Sequence, residues 1–110
     1  MHDVRVLIRS LGITSKYKGY RFIVEAVLLM LENPESGYKI TKDIYPGIAK
    51  KYHTNISNIE HNIRTVVDTC WTKRREQLEK VAGYSLKHKP SNLEFLDILV
   101  FYIREHSSEM

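Results

Sequence analysis

The chain has 110 residues, 43% of them hydrophobic and 27% charged, with a formal net charge of +4. That suffices for one domain with a single modest core and argues against intrinsic disorder. Its longest apolar runs, Ala26 to Leu31 and Ile98 to Ile103, are six residues each, far short of the roughly 20 of a transmembrane helix.

Helical periodicity dominates, and no strand alternation appears. A first helix is expected from about Asp3 to Leu11, with Val4, Leu7, Ile8 and Leu11 on one face and Gly12 as its stop. A second runs from about Lys16 to Glu32. Its apolar set includes Tyr20, Ile23, Val24, Val27, Leu28, Met30 and Leu31, broad enough for a central core helix. Asn33-Pro34-Glu35-Ser36-Gly37 ends it with turn chemistry. A short third helix covers about Ile40 to Tyr45. Pro46 disfavours a helical Tyr45 but suits the first position of a new helix, so a fourth starts there and runs to about Tyr52. After the turn His53-Thr54-Asn55, a fifth helix reaches about Arg74. Asn55 is its expected N-cap, and Ser57 with Glu60 offers a competing capping box. A weaker helical stretch spans Glu76 to Val81, and residues 83–90 form a loop. Ser91 and Glu94 box the start of a last helix, about Asn92 to His106. That helix is apolar around more than half its circumference. It either sits deep in the core or shares part of its surface with another subunit.

The fourth and fifth helices, about residues 46–74, have helix-turn-helix spacing. Ile48, Ala49 and Tyr52 point inward from the first. In the second, Ile59, Ile63, Val66, Val67, Cys70 and Trp71 follow one face of a 3.6-residue period. The opposite face carries Asn58, Glu60, His61, Asn62, Arg64, Thr65 and Asp68. Asn and Arg side chains pair with adenine and guanine edges, and Glu accepts from cytosine. These groups fall in the first three turns, the part of a recognition helix that enters the major groove of double-stranded DNA. Thr65 is placed to reach the DNA backbone. Residues 50–75 hold Lys50, Lys51, Arg64, Lys73, Arg74 and Arg75 against Glu60 and Asp68, a balance equal to the whole net charge. Lys50 and Lys51 are placed to meet phosphate. Lys73, Arg74 and Arg75 either meet phosphate too or complement the helix C-terminus; Lys87 and Lys89 are further basic candidates. His53 stands where a helix-turn-helix commonly has glycine. The competing interpretation of the pattern is a helical hairpin with a solvated polar face.

Other constellations point away from chemistry. The histidines lack zinc-type spacing, so no metal or other cofactor is expected. No dinucleotide fingerprint, P-loop or serine elbow occurs, so no enzymatic activity is expected. Cys70, the only cysteine, lies on the apolar face as a small hydrophobe. It has no partner for an internal disulfide, which fits a reducing, cytoplasmic setting. MHDVRVLIRSLG lacks the apolar run of a signal peptide.

Four blocks carry more. KGYRFIVEAV (Lys18 to Val27), ITKDIYPGIAKKY (Ile40 to Tyr52), SNIEHNIRTVVDTCW (Ser57 to Trp71) and KPSNLEF (Lys89 to Phe95) together resemble the C-terminal effector domain of stage zero sporulation protein A, a response regulator of endospore formation. The similarity covers about residues 4–106. It implies an all-α domain of about six helices with a helix-turn-helix and no winged-helix wing. It also implies a transcriptional regulator that binds DNA boxes as a tandem pair and contacts the sigma subunit of RNA polymerase; with the apolar last helix, tandem binding makes a homodimer through that helix the expected pairing. Glu60 and Arg64 match the family's recognition-helix residues, and Lys50 with Lys51 matches its basic pair. Asn58 and His61 stand where the family has arginines that contact DNA. Thr72-Lys73-Arg74-Arg75-Glu76 replaces the segment associated with sigma contact. The family's receiver domain is absent from these 110 residues. A rival expectation follows: a receiver-less module that pairs with a full-length regulator and antagonises it.

Overall fold

A computed structural model describes residues 4–32 and 39–107. The start expected at Asp3 and the turn expected at residues 33–37 lie outside the described residues. Within them the chain is helical, with no strand.

Helix α1 (Val4–Ser10) ends in a Schellman motif. Ile13 N–H bonds the Ile8 carbonyl at 3.1 Å and Gly12 N–H bonds that of Arg9 at 2.9 Å. Gly12 takes φ +82°, the left-handed conformation this closure needs.

Helix α2 (Tyr20–Glu32) starts four residues later than expected. Residues 15–19 form consecutive turns, with Tyr17 N–H on the Thr14 carbonyl and Tyr20 N–H on that of Tyr17. The cause is a close approach. A Cβ on Gly19 would lie 2.4 Å from the backbone oxygen of Asn62, so this segment is pressed against the longest helix. In α2 itself Phe22, Ile23, Val24, Ala26, Val27 and Met30 are buried, whereas Leu28, expected in the core, is 40% exposed.

The short helix expected before Pro46 is a single π-helical turn, Ile40–Ile44, running directly into α3 (Tyr45–Lys51). Tyr45 is helical (φ −62°, ψ −37°) despite preceding Pro46. Two features account for the difference. Tyr45 is fully buried, so packing sets its conformation. Its N–H also bonds the Ile40 carbonyl, a wide winding that suits the approach to Pro46, which has no N–H to return and a ring that crowds the carbonyl four residues back.

His53 adopts φ +53°, taking the left-handed position that glycine commonly fills. Helix α4 (Ile56–Lys73) follows, then α5 (Arg75–Ala82), closed by left-handed Gly83. Helix α6 (Asn92–Ser107) starts with the expected reciprocal box. Ser91 N–H donates to Glu94 Oε1 at 2.7 Å, and Glu94 N–H donates to Ser91 Oγ at 3.1 Å.

The core gathers the inner faces of α1, α2, α4 and α6, with α3 and α5 at the sides. In α6, Phe95, Leu96, Ile98, Leu99, Val100 and Ile103 are all buried, so its broad apolar circumference faces its own chain. Phe101 is its one large hydrophobe that stays substantially exposed (58%), and Tyr84 before it is 60% exposed.

Candidate nucleic-acid interface

Helix α4 is held from three directions. Asn55 caps it, its side-chain oxygen accepting from Asn58 N–H at 2.7 Å. The competing Ser57–Glu60 box does not form, because Glu60 pairs instead with Arg64 at 2.9 Å. Ile59, Ile63, Val66, Val67 and Cys70 lock the inner face. Asn92, at the start of α6, donates to the Glu60 carbonyl at 3.0 Å and to the Tyr45 hydroxyl at 3.4 Å. The helix is therefore rigid before any partner arrives, which lowers the ordering cost of binding.

The outer strip is open. Asn58, His61, Arg64 and Thr65 are exposed, and the Glu60 and Arg64 side chains retain 40% and 56% of their accessibility. At 3.6 residues per turn, His61 lies at the centre of this strip. Asn58, Thr65 and Asn62 fall to one side of it, Arg64 and Glu60 to the other. Most of the polar side chains are pre-oriented. Asn58 Nδ2 donates to Thr54 Oγ1 at 2.8 Å, Asn62 Nδ2 to Asn58 Oδ1 at 3.0 Å, and Thr65 Oγ1 to the His61 carbonyl at 3.1 Å. Asp68, also on this strip, is matched by Lys89 from the loop before α6, 2.6 Å away. That pairing offsets the Asp68 charge on this face.

The basic residues divide into groups. Lys50 is exposed at the end of α3 beside the turn. Lys51 is engaged: its Nζ meets Glu25 of α2 at 2.6 Å, and Tyr52 donates to the same carboxylate at 3.0 Å. The Lys51 hydrogen bond holds the Glu25 carboxyl below its usual range, against a smaller opposing effect of burial. Lys73 lies about 22 Å along the helix from Asn58 at a rise of ~1.5 Å per residue, so the cluster at 73–75 and the polar strip are not brought together. Arg74 lies against Gly12. Arg75 acts as a latch: its guanidinium stacks 3.9 Å over the Trp71 ring, donates to the Leu86 carbonyl at 2.7 Å and approaches Glu79 at 3.6 Å. These contacts fasten α4, α5 and the loop that follows.

The structure also brings in residues that periodicity misses. Lys16, Lys18 and Arg21 share a groove of about 570 Å³ with Asn58 and Asn62. The signal in the sequence is KYKGYR, cations and aromatics alternating around a glycine.

Among the described residues no three metal-ligating side chains converge, and no helix is long and apolar enough to cross a membrane. Cys70 is buried, and burial pushes its thiol up to about 12.

A rigid, capped helix presented after a four-residue turn, residues 52–55, polar outward and apolar inward, defines an all-helical helix-turn-helix domain. Residues 4–103 match the family described as Sporulation initiation factor Spo0A C terminal, and the chain belongs to that family. Membership makes it a DNA-binding effector domain of a sporulation regulator.

Proposed function

We propose that this domain regulates transcription by sequence-specific binding to double-stranded DNA, with the first three turns of α4 in the major groove. One observation carries the reading: the outer strip of α4 is exposed, made of hydrogen-bonding groups, and fixed on a helix that cannot shift without breaking its cap and core. Arg64 takes guanine once it leaves Glu60, Glu60 accepts from cytosine, and Asn58 favours adenine. His61 and Thr65 meet the groove wall. Lys50 contacts phosphate directly. Lys51 does so only by exchanging its Glu25 partner. Lys73 and Arg74 reach backbone outside the segment occupied by the polar strip, and Arg75 is the least available of the three.

The test is selection of bound duplexes from a randomised pool, followed by titration of selected and scrambled DNA. The expected result is a clear preference for the selected duplex that falls by about 5- to 150-fold in Arg64→Ala, since a bidentate arginine contact discriminates by about 1–3 kcal/mol. Equal binding of both duplexes by the wild type overturns the proposal.

Pairing of copies on tandem sites draws on the apolar surface that α6 leaves open, Phe101 beside Tyr84. Sedimentation of the Phe101→Ala protein on a two-box duplex tests it: loss of cooperative loading supports the pairing, and unchanged loading removes it.

A further inference from the structure

We infer that the segment Lys16–Gly19, with Arg21, is a second DNA-contacting element: a preformed clamp for the phosphodiester backbone along the Asn58–Asn62 edge of α4. The inference rests on the DNA-binding reading above and goes beyond it by adding a site outside the helix-turn-helix.

Position is the first argument. Gly19 is pressed so closely on the Asn62 carbonyl that only a residue without Cβ fits. The turn therefore runs directly alongside the recognition strip, and Lys16, Lys18 and Arg21 line one wall of a groove whose other wall is Asn58 and Asn62. A helix seated in the major groove, about 12 Å wide, has a phosphate strand along each flank. Cations beside the helix edge meet that strand.

Charge is the second. Lys16, Lys18 and Arg21 are exposed, and among the described residues none has an acidic partner. Lys51 and Lys89, by contrast, are held by Glu25 and Asp68. The cations near the recognition strip thus separate into neutralised and available sets, and the available set adds this clamp to Lys50.

Rigidity is the third. Lys16 N–H bonds Thr14 Oγ1 at 3.4 Å, and Tyr17 N–H bonds the Thr14 carbonyl at 3.1 Å. Arg21 is steadied by the Tyr52 ring, 4.7 Å from its guanidinium carbon. The clamp is built before DNA arrives.

The experiment measures affinity against salt for wild type, Lys16→Ala/Lys18→Ala, Lys16→Arg/Lys18→Arg and Arg64→Ala, each on selected and scrambled duplex. Each phosphate contact contributes about −0.9 to the slope of log affinity against log salt. The alanine pair is expected to flatten the slope by about 0.9 per phosphate lost, equally on both duplexes, leaving the preference between them intact. The arginine pair restores the slope, which a merely structural role for the turn would not require. Arg64→Ala shows the opposite pattern, losing preference. An unchanged slope in the alanine pair, with normal wild-type binding, overturns the clamp alone. Wild-type protein that binds neither duplex overturns the DNA reading and the clamp with it.

Discussion

Replacing Gly19 with alanine adds one methyl group at the closest approach made by any glycine among the described residues. The new Cβ would sit 2.4 Å from the Asn62 oxygen, 2.9 Å from its carbonyl carbon and 3.0 Å from Val66 Cγ2, where ordinary contact begins at 3.4 Å. Two of the three neighbours are backbone inside a capped helix, so neither has a rotamer to escape into. The turn must instead lift from α4 by about 1 Å. Overpacking of this kind costs about 1–3 kcal/mol. The loss of unfolded-chain freedom on going from Gly to Ala returns about 0.4–1 kcal/mol. A net loss of about 1–2 kcal/mol remains, which for a domain of this size lowers Tm by roughly 5–15 °C. Thermal unfolding followed by circular dichroism reads it. Gly47 supplies the internal control: it lies inside α3 with no atom within 4 Å of a built Cβ. Gly47→Ala is expected to raise stability by about 0.5–1 kcal/mol. Opposite signs for one chemical change isolate the close approach as the cause. A Gly19→Ala protein as stable as wild type, or more so, would refute the packing of this turn on α4.

Further outcomes follow from the same contacts. Cys70 is fully buried, and burial pushes its thiol up to about 12, so a thiol reagent at neutral pH should label it only as fast as the chain unfolds. Rapid labelling under native conditions would contradict that burial. The Glu25 carboxyl is held below its usual value of 4.5, chiefly by the Lys51 hydrogen bond. A lowered folded value means stability that is present above the unfolded pKa and lost as pH falls through the folded one. Glu25→Gln should therefore flatten the acid limb of a stability–pH curve and leave Lys51 unpaired for phosphate. An acid limb identical to wild type would show that the ion pair carries no linkage.

Much of α4 and of the helix ends is legible in the sequence because the signals are local. Asn55 lies three residues before the N–H it caps, Ser91 and Glu94 close a box over four residues, and the Ile59–Cys70 stripe repeats every turn. Gly12 announces its own stop. What escapes is decided at long range. The hydrogen-bond partners of Lys51 and Lys89 lie 26 and 21 residues away in the chain, and no periodicity reveals which cations are neutralised. The Lys16–Gly19 segment has the composition of a helix start, yet the approach of Gly19 to Asn62 makes it a turn and gives Lys16 and Lys18 a place beside the polar strip of α4. Tyr45 fails the local rule for a residue before proline because complete burial outweighs it. Arg75 looks like one more phosphate contact until Trp71, Glu79 and Leu86 are seen around it. The last helix is the converse case: its wide apolar circumference leaves its own core and a second subunit equally open, and only the fold shows that most of it packs inside the chain with Phe101 left exposed.

The most direct test of the central claim is to map which backbone amides move when a duplex carrying a single selected site, too short for paired copies, is added, by heteronuclear NMR on the isotopically labelled chain. The largest shifts are expected at residues 57–65 and 16–21, with a further shift at Lys50 and little change at Tyr84 and Phe101. Shifts concentrated around Tyr84 and Phe101, with α4 and the Lys16–Arg21 segment silent, would contradict it.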